Sequence, residues 1–470
     1  MMKPKLGLLC VTSGWFRDIG LQGRTSDSTA AVERVAQGLV DRLSVDAEIV
    51  SRGVLYDAAD AARAAREMRD TDVDGVLVVP LMWCEEAIPR AALEILAGLP
   101  IILWVFSPRA ELPDSISFQS MLQGSGAVCS LQLSGMLKRE GTRYVTVAGH
   151  ADDPAVYETI AIAARGMGIA RILRRTRVGV LPFPSDQMSA TWVDEFGLRS
   201  RYGVALRYLE LDRVRLAARA ATADEIAAMR GLLAERRVGV RVDPGNLDEG
   251  IRYSLALERI LADEGLEALS MNDVIPEMHA SFGLRPCLWN PRLSDAGTVV
   301  SMEADIAAAV AMRVLRLATG AAPFYCETLG ADWRANLLLL GHAGYHDAAT
   351  ADPAHPVTVI PDVEYENSDR WTGAAIYFKY RPGPTTIVNC VWDGAALKWL
   401  AAQGESLEGA PRLEGNSHLV FKPDIPIAEF YRRAVADGVS QHWLAVPGRC
   451  AHELELLAGI LGIRWTPGGN

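Results

Sequence analysis

Short apolar runs alternate with Ala-rich amphipathic stretches through the first third of the chain. Residues 5–11, 47–53 (AEIVSRG), 75–81 (GVLVVPL), 100–106 (PIILWVF) and 143–149 (RYVTVAG) are short and rich in β-branched residues, and a helical pattern runs from about Ala30 to Leu43. Strands separated by helices predict a parallel sheet covered on both faces. This places a flavodoxin-like α/β domain at 1–150. The pattern then restarts. RVGVLPF at 177–183, ALRYLEL at 205–211, a charged helix near 222–236 and VGVRVD at 238–243 outline a second α/β domain at 151–320. Its last element is a helix from Ser301 to Thr319, with Ile306, Val310, Val314 and Leu317 at helical spacing and Gly320 as the stop.

After Gly320 strand-like pieces dominate: 357–365 (VTVIPDVEY), 372–380 (TGAAIYFKY), 385–392 (TTIVNCVW), 417–423 (SHLVFKP) and 440–448 (SQHWLAVPG), with RPGP as a sharp turn and a helix at 451–461. The expected architecture is α/β: two flavodoxin/Rossmann-like parallel-sheet domains followed by a β-rich, antiparallel barrel-like C-terminal domain at 321–470.

Composition narrows the partners. The 470 residues carry 47 Lys and Arg against 58 Asp and Glu, a net charge of −11 that repels phosphate backbones and anionic lipid, so nucleic acid is excluded as a partner. Half the residues are hydrophobic, ordinary for a folded chain. The seven Cys are dispersed without a CxxC pair and read as buried, reduced thiols of a cytosolic (cytoplasmic) protein. The longest apolar runs fall short of the ~20 residues of a spanning helix, so no membrane role is expected. The run after Lys5 is too short for a signal peptide.

The candidate chemistry lies late in the chain. Six of the eight His (His342, His346, His355, His418, His442 and His452) sit in the last third. Glu303 in VSMEADI, Glu327 in FYCETLG, His342 in LLLLGHAG and His442 in GVSQHWLAV are polar residues against strongly apolar runs, where they must be paired, hydrogen-bonded or bound to a metal. Taken singly, each has an ordinary structural reading. Glu303 and Asp305 fit the acidic first turn of a helix, Glu327 fits a loop acid, and His342 fits a satisfied core histidine beside glycines that permit close approach. Together they form an oxygen and nitrogen set without thiolate, which suits a manganese-like divalent ion rather than structural zinc. Two carboxylates beside such an ion also suit proton abstraction next to a carbonyl. A second group follows the first-domain strands: Ser13 to Arg17, Trp83 with Glu85 and Glu86, and Gln123 in MLQGSGA, at the edge where open α/β sheets bind ligands. Asp186 and Gln187 also follow a strand end. Gly14 belongs to no GxGxxG, so a dinucleotide site has no support.

The order MEADIAAAV, CETLGADW, LLLLGHAG, RPGPTTIVN and GVSQHWLAV resembles the L-fucose isomerase and L-arabinose isomerase family over most of the chain. The resemblance implies a fucose isomerase-like ketol isomerase of carbohydrate metabolism that binds Mn2+ or another divalent cation through Glu303, Glu327 and His442. It assigns Glu303 and Glu327 the proton transfers. His342 matches a further metal ligand of the arabinose-isomerizing branch. Family members are homo-oligomers whose first domain reaches into a neighbour's active site, which implies substrate contacts from Arg17, Trp83 and Gln123. The chain departs at Gln441, where the fucose-isomerizing branch has Asn, and it is shorter. The substrate therefore stays open among fucose- or arabinose-like sugars and modified hexoses, including an anionic, sulfonated one. The competing reading is a non-catalytic sugar-binding or sensory protein of the same architecture, which needs no divalent metal.

Overall fold

The computed structural model of the protein describes residues 3–18, 26–365 and 373–467. Thr372, expected to open a strand, lies outside them. The chain forms two compact units, Met1–Ile172 with His452–Gly462, and Leu173–Ala451 with Ile463–Asn470.

The first unit holds one parallel five-stranded sheet of β1 (Lys5–Val11), β2 (Glu48–Leu55), β3 (Gly75–Pro80), β4 (Ile101–Ser107) and β5 (Val145–His150), in the order β2-β1-β3-β4-β5. Strand alternation divides β1 between two cores. Leu6, Leu8 and Cys10 pack into a cluster with Ala36, Leu39 and Trp104, while Leu9 and Val11 join Ala61, Ala64 and Met68 on the other face. Both faces of the inner strands β1, β3 and β4 are buried, which is why these three read as continuous apolar runs. The helix Ala451–Leu461 contributes Ile460 to the first cluster.

In the second unit β6 (Arg177–Leu181), β7 (Ala205–Tyr208), β8 (Gly239–Val240), β9 (Ala268–Met271) and β10 (Val299–Ser301) follow in sequence. Four of them form a parallel sheet, β10-β9-β6-β7. VGVRVD does not add a strand to that sheet. Only β8 pairs, and it joins β13 (Thr358–Pro361) and β14 (Ala374–Tyr377) in a separate three-stranded sheet. The remaining strands are β11 (Phe324–Asp332), β12 (Leu337–His342), β15 (Gly383–Trp392), β16 (Leu397–Ser406), β17 (Ser417–Pro423), β18 (His442–Pro447) and β19 (Arg464–Pro467). They run β15-β18-β11-β12-β17-β16-β19, and β15 also pairs with β16 over Gly383–Trp392 and Leu397–Ser406. That pairing closes six antiparallel strands into a barrel, with β19 added parallel to β16. Closure leaves these six strands without a free edge, and Trp399 on β16 and Phe421 on β17 are fully buried.

Cys10, Cys84, Cys129, Cys287, Cys326 and Cys390 are buried free thiols and Cys450 is partly buried; burial pushes the Cys10 thiol up to about 12. Among the described residues no helix is long and apolar enough to cross a membrane.

Candidate metal centre

The helix after β10 starts later than its sequence suggests. It runs Ile306–Thr319, with Asp305 as N-cap accepting from the Ala308 N–H. Glu303 is therefore not in its first turn. Glu303 and Ala304 take left-handed backbone angles, φ 58° and 54°, a conformation that costs a non-glycine residue roughly 1–2 kcal/mol. Surrounding bonds hold it there. The Glu303 N–H donates to Asp273 Oδ1 at 2.8 Å, and the Ala304 N–H to the Met271 carbonyl at 2.9 Å. The Met302 carbonyl accepts from the Tyr325 hydroxyl at 3.1 Å and from the Asp305 N–H at 3.1 Å. Strain retained by so many bonds is what functional turns display. Gly344 completes the fit: at φ 103° it lies where a Cβ would sit 2.5 Å from the Met302 side chain.

This turn aims the Glu303 carboxylate at two imidazoles. His442, the first residue of β18, lies with Nε2 3.0 Å from Glu303 Oε2 and Nδ1 2.8 Å from Asp305 Oδ2. His342, the last residue of β12, lies with Nε2 3.6 Å from Glu303 Oε1, beyond hydrogen-bond reach. Tyr325 on β11 packs against both rings, with centroids 4.9 Å from His342 and 4.7 Å from His442, and the two imidazoles meet edge to face at 5.5 Å. One ligand atom each from Glu303, His342 and His442 fall within 4.8 Å of one another.

The electrostatics follow from these partners. Burial raises the Glu303 carboxyl, but His342 and His442 outweigh it and hold the group well below the usual carboxylate range. Burial pulls His442 down, yet Asp305 and Glu303 outweigh it and raise the ring to about 9. Asp273 beneath Glu303 is raised by burial, against the neighbouring charge of Arg285. Arg285 is itself buried, bound to Asp362 at 2.5 Å, Asp273 at 3.5 Å and Glu364 at 2.7 Å.

A divalent cation fits this set. His342 Nε2 is buried without a hydrogen-bond partner, which in an unliganded protein leaves a polar atom unsatisfied. The donors are one carboxylate and two imidazoles, suited to a divalent ion of intermediate hardness. Asp305 supplies the carboxylate that ligating imidazoles usually bear on their other nitrogen.

Glu327 lies on β11 directly opposite His442 on β18 and Gly341 on β12, so it shares a sheet face with His442. Its carboxylate is not among the three groups brought together. Gly341 is required here, since a Cβ would sit 2.8 Å from the Ser417 carbonyl. Gln441 donates to Glu303 Oε2 at 3.3 Å and lies 3.0 Å from Met188 Sδ, so the loop carrying Asp186 and Gln187 reaches the cluster through Met188. His346, in the loop between β12 and the turn Ala348–Thr350, is buried and stacked on Phe324 with centroids 4.7 Å apart. In the first unit, Ser13 Oγ donates to Glu85 at 2.9 Å, Trp83 Nε1 donates to Gln132 at 3.0 Å, and Arg17 lies 4.6 Å over the Tyr56 ring. Gln123 ends the short helix Phe118–Gln123 and is partly buried.

Sequence reasoning missed Asp273, Arg285 and Tyr325, and gave Asp305 no role beyond a helix terminus. Asp273 and Arg285 carry a signal that was available, charged residues inside the apolar segments SMNDVIP and GLRPCLW. Tyr325 carried none.

The fold and site define a class: an α/β protein with a closed antiparallel barrel, bearing a carboxylate and two histidines poised for a divalent cation. Two curated relatives are similar in sequence, the sulfoquinovose isomerases of Priestia aryabhattai and of Priestia megaterium, each 22% identical over 320 residues, 68% of this chain and 69% of theirs. No protein-family model matches the chain. Among solved structures, a periplasmic sugar-binding protein of an ABC sugar transporter from Legionella pneumophila is 10% identical over 68% of this chain and 97% of its own, with a TM-score of 0.17. An ABC transporter solute-binding protein from Clostridium phytofermentas with bound L-rhamnose is 13% identical over 80% and 94%, with a TM-score of 0.16. Neither superposes well enough to bear on this chain.

Proposed function

We propose that the protein is a metal-dependent aldose–ketose isomerase of the fucose isomerase-like kind, an intramolecular oxidoreductase acting on an open-chain sugar. The observation that carries this reading is the convergence of Glu303, His342 and His442 within 4.8 Å, on the residues where the family resemblance expects ligands. The two relatives named as isomerases support the reaction class, and their name supports a sulfonated aldohexose as substrate. A pure sugar-binding protein has no use for such a cluster.

Glu303, His342 and His442 would hold Mn2+ or another divalent cation, which supplies polarisation of the substrate carbonyl and a template for its neighbouring hydroxyl. Glu327, opposite His442, would turn toward the same space as the second carboxylate. One of the two acids would remove the C2 proton of the aldose and the other would deliver a proton to C1, through a cis-enediol, while the O2 hydroxyl proton passes to O1. Arg17, Trp83 and Gln123 would contact substrate, Arg17 as the cation for an anionic group, from the first unit of a neighbouring subunit in a homo-oligomer. The first sheet is read as flavodoxin-like and the protein as cytoplasmic.

Manganese-loaded protein incubated with a panel of aldoses and ketoses, including a sulfonated hexose, tests the reading by isomer formation. Interconversion of the sulfonated aldose and its ketose is expected. Absence of any isomer across the panel, with the protein folded and metal bound, would overturn it.

A further inference from the structure

Asp305 is fully buried and uses its two carboxylate oxygens for two different partners. Oδ1 accepts the Ala308 N–H at 2.8 Å and so caps the helix Ile306–Thr319. Oδ2 lies 2.8 Å from His442 Nδ1. Neither oxygen could be spared by a neighbour. The Ser301 hydroxyl is already donated to the Asp305 carbonyl at 2.7 Å, and Asn389 takes the His442 carbonyl at 2.6 Å, not the ring.

We propose that Asp305 is a positioning residue that fixes which nitrogen of His442 can bind the cation: by accepting the Nδ1–H it keeps that proton in place, so the proton a cation displaces is the one on Nε2, which faces Glu303. The inference rests on the metal reading above. The same carboxylate anchors the helix start, so ring orientation at His442 and the position of the Met302–Asp305 turn are fixed together. That joins the two principal ligands, Glu303 and His442, which lie 139 residues apart in the sequence, through a single side chain. A carboxylate is the only side chain that satisfies both partners, because each needs an acceptor.

Asp305→Asn separates the two roles. Asn caps helices as well as Asp does, but it offers one acceptor and one donor. If its oxygen keeps the Ala308 N–H, its NH2 faces Nδ1 and selects the ring tautomer protonated on Nε2, the wrong nitrogen for a ligand. If the amide rotates to accept from Nδ1, the buried Ala308 N–H loses its partner when the cation binds. Both routes weaken metal binding.

The test is titration of metal-free wild-type and Asp305→Asn protein with Mn2+, reading free Mn2+ by electron paramagnetic resonance, beside thermal unfolding of both metal-free proteins. The expected result is a Kd raised about 10–100-fold in the variant, the usual cost of losing such a carboxylate, with the metal-free variant still unfolding in one cooperative transition. Equal Kd values overturn the assignment of Asp305 alone. Failure of the wild type to bind Mn2+ overturns the metal reading and the assignment with it. Should Asp305→Asn not fold, wild-type protein loaded with diamagnetic Cd2+ decides the matter by NMR. A downfield, slowly exchanging His442 Nδ1–H supports the assignment, and ligation through Nδ1 or a rapidly exchanging proton overturns it.

Discussion

Two buried histidines each touch His342, one at its ring and one at its carbonyl, and behave in opposite ways. His442 faces two carboxylates and is raised to about 9 against the pull of burial, whereas His346 stacks on Phe324, shares a 2.8 Å bond with the His342 carbonyl, and is driven by burial down to about 3. Both are almost wholly excluded from solvent. Burial therefore does not mark chemistry by itself, and the partner does: an imidazole against a carbonyl and a phenyl ring is packing, and one held between carboxylates is a cation site in waiting.

The contrast breaks most visibly at Glu303. Glu303→Gln removes a ligand and a candidate proton carrier while leaving the turn's backbone bonds in place. Turnover is expected to fall about ten-thousandfold, the upper end for a positioned acid or base, in a protein that still folds but unfolds at a lower temperature, since His442 loses a charged partner. Measured kcat alongside unfolding temperature checks this, and retained turnover would remove Glu303 from the chemistry.

The support beneath the cluster should fail differently. Arg285 lies between Asp273 and Asp362, with its side chain 3% exposed, and Asp273 holds the Glu303 N–H. Arg285→Leu leaves buried carboxylates without their counter-charge and is expected to cost about 3–5 kcal/mol in urea unfolding. A loss below about 1 kcal/mol would mean that the network relaxes without it.

The packed histidine gives the smallest effect, and its direction is fixed by linkage. Its folded value of about 3 lies below its ordinary 6.5, so the unfolded chain takes up the proton first as pH falls. Stability tied to His346 is complete above pH 6.5 and is lost progressively between pH 6.5 and 3, roughly 2 kcal/mol of it between pH 7 and pH 5. His346→Phe keeps the stacking ring and should flatten that part of the slope without changing turnover at pH 7. Urea midpoints at the two pH values measure it, and an unchanged slope would show that the ring is not the proton-linked group.

How much of this was legible in the chain depends on whether local pattern or pairing set the element. The inner strands β1, β3 and β4 of the first sheet are buried on nearly every residue, and their apolar runs stand out directly; β17 and the helix after β18 also match their expected limits. β16 left no such mark. LKWLAAQGES lacks β-branched residues, and its ten-residue extension comes from the ladder with β15. At the site, the types and positions of Glu303, His342 and His442 could be read from polar residues set in apolar runs. The left-handed turn at Glu303 could not, because a Met-Glu-Ala-Asp segment before an Ala-rich run has helical propensity throughout and only tertiary bonds to Asp273, Met271 and Tyr325 withdraw its first residues from the helix. The same late start of the helix, at Ile306 rather than Ser301, turns Asp305 from a second helix-terminal acid into the partner of His442.

The most direct test of the central claim is isomer formation from a sulfonated aldohexose by exhaustively chelated protein, before and after Mn2+ is restored. The account predicts no ketose before and recovery of turnover after. Full activity in the chelated protein would contradict it.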